Sequence, residues 1–229
     1  MLKKIDKAAY QTMVAQGEVL ESEAKIPKVI LLPERRILKL FRRKRLLSSQ
    51  MWITHAARFV RNAKSLHNMG IPTVEIVSTF NIPSIERQAV LYKMREGDTL
   101  RNWLETNSTE DCLIMMDQLG IFVGKLHHRG ILFRSIHLAN LVVQPDGTLC
   151  LIDIADVGFR LHGSLSVSQR IRNFHHMNRH EIDQKHLSGM SGERFMKSYL
   201  SASKFKEKQK SLLRRAYAEI FNIHGKGNI

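Results

Sequence analysis

Apolar positions run in short, partly alternating blocks through the first third of the chain and then settle into helical spacing. A strand-rich part is therefore expected to precede a helix-rich one. Residues 18–21, 29–32 and 37–41 read as strands, with 33–36, opened by Pro33, as the turn between the last two. A helix is predicted over 48–68, stopped by Gly70 and Pro72. Two further strands are expected at 73–78 and 89–94, before Arg95, Glu96, Gly97 and Asp98 break the pattern. A short helix follows over 99–105. A longer one opens after Ser108, with Asp111 three residues on as in a capping box. Cys112, Met115, Met116, Leu119, Phe122, Val123 and Leu126 then recur at helical spacing, which makes this a core helix with one continuous apolar face. Residues 141–143 and 149–154 flank Pro145, Asp146 and Gly147 as a hairpin. The remainder is mostly helical and ends in a basic helix whose buried side carries Leu213, Ala216, Tyr217 and Ile220.

The chain has 229 residues, enough for one large domain or two small lobes with a real core. Its apolar runs fall far short of the roughly 18 residues that a membrane-spanning helix needs. Asp6, Lys7, Gln11 and Thr12 interrupt what would have to be a signal core, so a cytoplasmic protein is expected. Cys112 and Cys150 have no paired spacing and read as small core residues.

Charge changes the picture more. With 36 basic against 21 acidic residues the chain carries +15, which predicts attraction to phosphate-rich partners. Seven of the eleven residues from Arg35 to Arg45 are basic. That run is either a solvated face or a surface for a phosphorylated glycolipid or an anionic membrane. Nucleic acid would suit the charge, but no helix-turn-helix, RNA-recognition or zinc-finger pattern is present and aromatic residues are only 7% of the chain. Among the histidines, His127, His128, His175, His176, His180 and His186 invite a metal reading, with His176 and His180 expected on one helix face. No Cys or paired His motif completes such a site, and surface or core histidines are the ordinary account.

The chemistry concentrates between Leu126 and Asp153. After the long helix comes Phe133-Arg-Ser-Ile-His-Leu-Ala-Asn140, and after the hairpin Leu151-Ile-Asp-Ile-Ala-Asp156. A kinase catalytic loop follows its core helix with a base Asp and, five residues on, an Asn. A metal-binding Asp comes after the next hairpin. Ser135, Asn140 and Asp153 occupy those three places. Phosphoryl transfer needs an acceptor-positioning group, an amide oxygen on magnesium and a carboxylate bridging magnesium to the phosphates, which accounts for the spacing. Upstream, Lys39 in Ile37-Leu-Lys-Leu-Phe41 fits the strand lysine that holds ATP phosphates. The order of five strands with one inserted helix, then helices around a hairpin, is the layout of a two-lobed kinase.

These two phrases resemble the lipopolysaccharide-core kinases, the heptose and Kdo kinases of Gram-negative bacteria, and within them the branch labelled toluene-tolerance proteins. More distantly, Ser135-Ile-His-Leu-Ala-Asn140 is similar to the Asp-Leu-His-x-x-Asn loop of aminoglycoside and choline kinases, with the Asp replaced. The resemblance implies an α+β, protein-kinase-like fold with a small antiparallel N-terminal sheet and one helix over 1–95, and a helical C-terminal lobe carrying the catalytic loop over 96–229. It implies an ATP- and Mg²⁺-dependent transferase acting on a sugar of the lipopolysaccharide inner core at the inner face of the cytoplasmic membrane. Asn140 and Asp153 would take magnesium, Lys39 the ATP phosphates, and Ser135 with His137 the acceptor region, while Arg134 orders the loop.

Three departures from that pattern stand in the sequence. The stretch from Ser22 to Lys28 contains no glycine where a phosphate-covering loop needs one, and Lys25 and Lys28 would supply charge instead. No acidic residue lies between Glu34 and Glu75 to pair with Lys39 from the following helix. Ser135 is not a carboxylate base. Since phosphoryl transfer is catalysed mainly by positioning and charge neutralisation, activity is compatible with that loss. His137 is either a base near neutral pH or a structural hydrogen-bonding residue, and Asp156 reads as a turn residue. A pseudokinase that binds nucleotide or serves as a scaffold is the alternative reading.

Overall fold

The computed structural model describes residues 2–24, 26–42, 54–202 and 205–221. Lys25, the basic residues 43–45 and the first part of the helix expected over 48–68 lie outside the described residues. The chain forms two compact units, Met1–Arg95 and Glu96–Ile229. Among the described residues no helix is long and apolar enough to cross a membrane.

The first unit contains β1 (Lys3–Lys4), α1 (Lys7–Ala15), β2 (Glu18–Glu23), β3 (Ile26–Leu32), β4 (Arg36–Arg42), α2 (His55–Asn68), β5 (Glu75–Ile82) and β6 (Arg87–Lys93). They make one sheet in the order β1-β5-β6-β4-β3-β2, antiparallel except for β1 on β5. Strand alternation then decides what each face carries. On β4, Leu38 and Leu40 point into a cluster with Tyr10, Ile30, Leu32, Ile82, Ala89 and Leu91, against which Ile5, Met13 and Val14 of the N-terminal segment pack. Ile37, Lys39 and Phe41 point to the opposite face. There α2 lies on the sheet, with Phe59 5.7 Å from the Phe41 ring and 5.4 Å from Tyr92.

The N-terminal segment is thus a structural element that the sequence pattern does not announce. It is a helix capped by Asp6, which accepts from Ala9 N at 2.8 Å. Thr54 caps α2, and Gly70 in the left-handed region (φ +62°) follows its end. The strand expected at 73–78 starts later and runs through Ile82, because the turn over Pro83–Ile85 lets it pair along the whole of β6.

The second unit contains β7 (Asp98–Thr99), α3 (Leu100–Thr106), α4 (Thr109–His128), β8 (Ile131–Phe133), β9 (Leu141–Val143), β10 (Leu149–Leu151), β11 (Val157–Phe159), α5 (Val167–Met177), α6 (Glu181–Leu187), α7 (Gly189–Ser201) and α8 (Glu207–Phe221). Ser108 caps α4, its hydroxyl accepting from Asp111 N at 3.2 Å and donating to Asp111 Oδ2 at 2.6 Å. Gly120 and Gly124 let α7 approach α4 closely: a Cβ at Gly120 would lie 2.3 Å from the Phe195 carbonyl oxygen. Gly97 has φ +104°, and a Cβ there would stand 1.9 Å from the Val143 carbonyl oxygen, so only glycine allows β7 to meet β9.

The observed architecture is the α+β class expected, an antiparallel-rich sheet with one inserted helix followed by a mainly helical part. Two details differ. Cys112 sits half-buried at the start of α4 rather than in its core, while Cys150 is fully buried. The strand expected over 149–154 ends at Leu151, because Asp153 takes a left-handed conformation (φ 51°) and residues 154–156 form a turn of 3₁₀ helix.

Candidate functional site

The segment 134–140 is held by alternation. Ile136 and Leu138 are fully buried, so Ser135, His137 and Ala139 fall on the other side and stay partly accessible. Both ends are tied to main chain. β8 pairs with β11, and Arg134 N donates to the Asp156 carbonyl at 3.4 Å. At the far end Ile152 N donates to the Asn140 carbonyl at 2.9 Å, which sets Asn140 beside the turn that carries Asp153.

Asn140 is 7% exposed. Its Nδ2 donates to the Ser135 carbonyl at 2.8 Å, closing the loop on itself and committing the amide nitrogen. The Oδ1 atom therefore remains as an oxygen donor, with no hydrogen-bond partner among the described residues. Asp153 adds a carboxylate from a left-handed backbone position, which a non-glycine residue holds at some cost, and such costs gather at functional sites. An amide oxygen and a carboxylate suit a hard cation such as Mg²⁺, so this donor set fits the metal that the loop spacing suggests.

Ser135 donates through Oγ to Asp156 Oδ2 at 3.1 Å. Asp156, which reads as a turn residue in the sequence, is thus a carboxylate in contact with the residue standing where a base Asp is expected. Two residues on, His137 is packed ring against ring with His180, centroids 4.3 Å apart. Burial, followed by the charge of His180, pulls its pKa down to about 4, against the opposing pull of Asp183 and Asp153. His137 is therefore neutral at physiological pH and a weak base. Its buried Nδ1 has no hydrogen-bond partner among the described residues.

Two buried networks fix the loop, and nothing in the local sequence points to either. Asp183 on α6 is 0% exposed, accepts from Arg101 Nε at 2.6 Å and Nη2 at 3.1 Å, and accepts from Leu138 N at 3.0 Å. The second begins at Arg170, whose Nη1 donates to the Tyr199 oxygen at 2.9 Å. His127 bonds Tyr199 through Nδ1 at 2.9 Å and Asn173 Oδ1 through Nε2 at 2.8 Å, and Asn173 Nδ2 donates to the Phe133 carbonyl at 2.7 Å. Since Asn173 offers its oxygen, His127 carries its proton on Nε2, and Tyr199 donates to Nδ1. That neutral ring agrees with burial, which holds the His127 pKa down to about 3.

The remaining candidates fall as follows. Lys39, in the first unit, is 6% exposed on the α2 face of the sheet, paired in register with Val29 and Val90. α2 supplies no carboxylate. The Arg134 guanidinium makes no hydrogen bond or ion pair among the described residues, so the order of the loop comes from its main chain and from Asp183. His176 and His180 do not share a helix face as expected: His176 is near the end of α5 and His180 precedes α6, because α5 ends at Met177.

No protein-family model matches the chain, and no curated protein matches it. Among solved structures it is similar to a protein described as a divergent kinase lacking the glycine-rich loop, which regulates membrane ultrastructure of the Toxoplasma parasitophorous vacuole. The two are 14% identical, the alignment covers 96% of this chain and 80% of that one, and the TM-score is 0.46.

Proposed function

We propose that the chain is an ATP-dependent phosphotransferase of the kinase type, acting on a heptose or Kdo sugar of the lipopolysaccharide inner core. The observation that supports this most is the pairing of Asn140 and Asp153. One main-chain bond sets the two segments together, Asn140 has spent its nitrogen on the Ser135 carbonyl, and an amide oxygen beside a carboxylate is a donor pair suited to a divalent cation. Asn140 and Asp153 would hold Mg²⁺, which when bound neutralises charge on the transferring phosphates. Lys39 offers an ammonium suited to a nucleotide phosphate. Ser135, held by Asp156, positions the acceptor hydroxyl, and the Asp156 carboxylate can draw the proton through it.

The acceptor class comes from the sequence resemblance, and the excess of basic residues favours an anionic glycolipid, at an anionic membrane surface, over a neutral one. The low basicity of His137 and the missing base Asp favour a second reading, a nucleotide-binding module without turnover. ATP consumption by the purified protein with Mg²⁺ and dephosphorylated lipopolysaccharide core separates the two. Acceptor-dependent turnover supports the transferase. ATP binding without turnover supports the module.

A further inference from the structure

The end of α5 and the turn after it bring two arginines and two histidines together. Arg172, His175 and His176 follow at steps of three and one residues on one face of the last turns of α5, and Arg179 comes two residues beyond the helix end at Met177. Asn173, between them, binds the Phe133 carbonyl at 2.7 Å and so fixes this face beside the end of β8, where Arg134 emerges. Arg134, Arg172, His175 and Arg179 are exposed, and none has an ion pair or side-chain hydrogen bond among the described residues. His176 is different: it is only 7% exposed, yet neither ring nitrogen has a hydrogen-bond partner.

Cations at a helix C-terminus are favourable to the helix dipole, and that accounts for part of the pattern. It does not account for a buried imidazole with both nitrogens unsatisfied, nor for Arg134 arriving from a different element. Buried polar groups are nearly always paired, so two open nitrogens call for a ligand. The neighbours say which sign it has. Burial first, and after it the neighbouring Arg179, Arg172, Arg134 and His175, push the His176 proton off, and an anion among them would oppose that.

We propose that Arg134, Arg172, His175, His176 and Arg179 form a binding site for a phosphomonoester dianion, carried by the acceptor beside the hydroxyl to be phosphorylated. The assignment to the acceptor rests on the phosphotransferase reading, because Arg134 immediately precedes Ser135. Guanidinium groups bind a phosphate dianion through charge-assisted hydrogen bonds, and the imidazole of His176 adds a donor from within the fold.

The test follows the His176 ring signals of the full chain by NMR without nucleotide, titrating inorganic phosphate, mannose 6-phosphate and mannose as probes. Saturable shifts are expected with both phosphates and none with mannose, together with a rise in the His176 pKa. Arg172→Gln and Arg179→Gln, both at exposed positions, should each weaken binding on the order of tenfold while the rest of the spectrum is retained. No response of His176 to either phosphate would overturn the site. A response only to vesicles containing phosphatidic acid, and not to soluble phosphates, would overturn the acceptor assignment in favour of a lipid headgroup. ATP titrated into the same samples with Mg²⁺ keeps the two readings apart. Absent ATP binding with an intact phosphate response would sink the transferase reading and leave the anion site standing.

Discussion

The Ser135 hydroxyl donates to the Asp156 carboxylate at 3.1 Å, so the loop residue five before Asn140 is a neutral group backed by a carboxylate 21 residues later. Ser135→Ala removes that link but leaves the Asn140 bond, which goes to the Ser135 main chain. The expected result is a raised acceptor KM and lower kcat with unchanged affinity for magnesium nucleotide. Steady-state kinetics beside nucleotide titrations measure both. A fall in nucleotide affinity of the same size would mean that Ser135 shapes the metal site instead.

Asp183 is the buried anchor of the loop. Asp183→Ala strands the Arg101 guanidinium and the Leu138 N–H at once, and breaking a buried pair in this way costs about 3–5 kcal/mol. Urea denaturation followed by circular dichroism should show a large drop in midpoint at constant slope. A change below about 1 kcal/mol, the size usual for exposed pairs, would remove Asp183 from this role.

Acid should weaken the fold through His127. Its pKa in the folded chain, about 3, lies below the ordinary 6.5, so between those values the unfolded chain takes up a proton that the folded chain refuses. Stability is then full above pH 6.5 and falls as pH drops toward 3, by an amount on the order of a few kcal/mol. His137, pulled down to about 4, adds to the loss in the same sense. Denaturation at pH 7 and pH 5 in wild type and His127→Asn should show a smaller pH dependence in the variant. Equal dependence in both would place the titrating group elsewhere.

Gly97 is held at φ +104° against the Val143 carbonyl. Gly97→Ala should cost at least about 1–3 kcal/mol for the backbone alone, with the clash added, and thermal melting would register it. A neutral substitution would mean that β7 does not hold its contact with β9.

The pattern of the sequence carried much of this fold and less of its wiring. Strands β3 and β4 and the turn between them are legible because branched and aliphatic residues alternate between punctuating prolines and charges. Helix α4 is legible because its apolar residues keep one period over 20 residues. β8 and β11 are three residues each, too short for alternation to register, and their central pair, Leu132 with Gly158, is 26 residues apart in the chain. Within the candidate site, Ser135, His137 and Asn140 stand out by spacing inside one loop. Asp183 does not: it comes from 45 residues beyond Leu138, in a polar stretch that reads as solvated helix. Asp156 was visible as a residue, but only the β8–β11 pairing brings its carboxylate to Ser135. Local pattern encodes period and punctuation, whereas partners of buried polar groups are set by topology.

The most direct test of the central claim is calorimetric titration of ATP into the wild-type chain and Asp153→Ala, each with Mg²⁺ and with EDTA. The account predicts that wild type binds ATP more tightly with Mg²⁺ than without, and that Asp153→Ala loses at least tenfold of the affinity that depends on the metal while remaining folded. Equal, metal-independent affinity in the two proteins, or no binding by either, would contradict it.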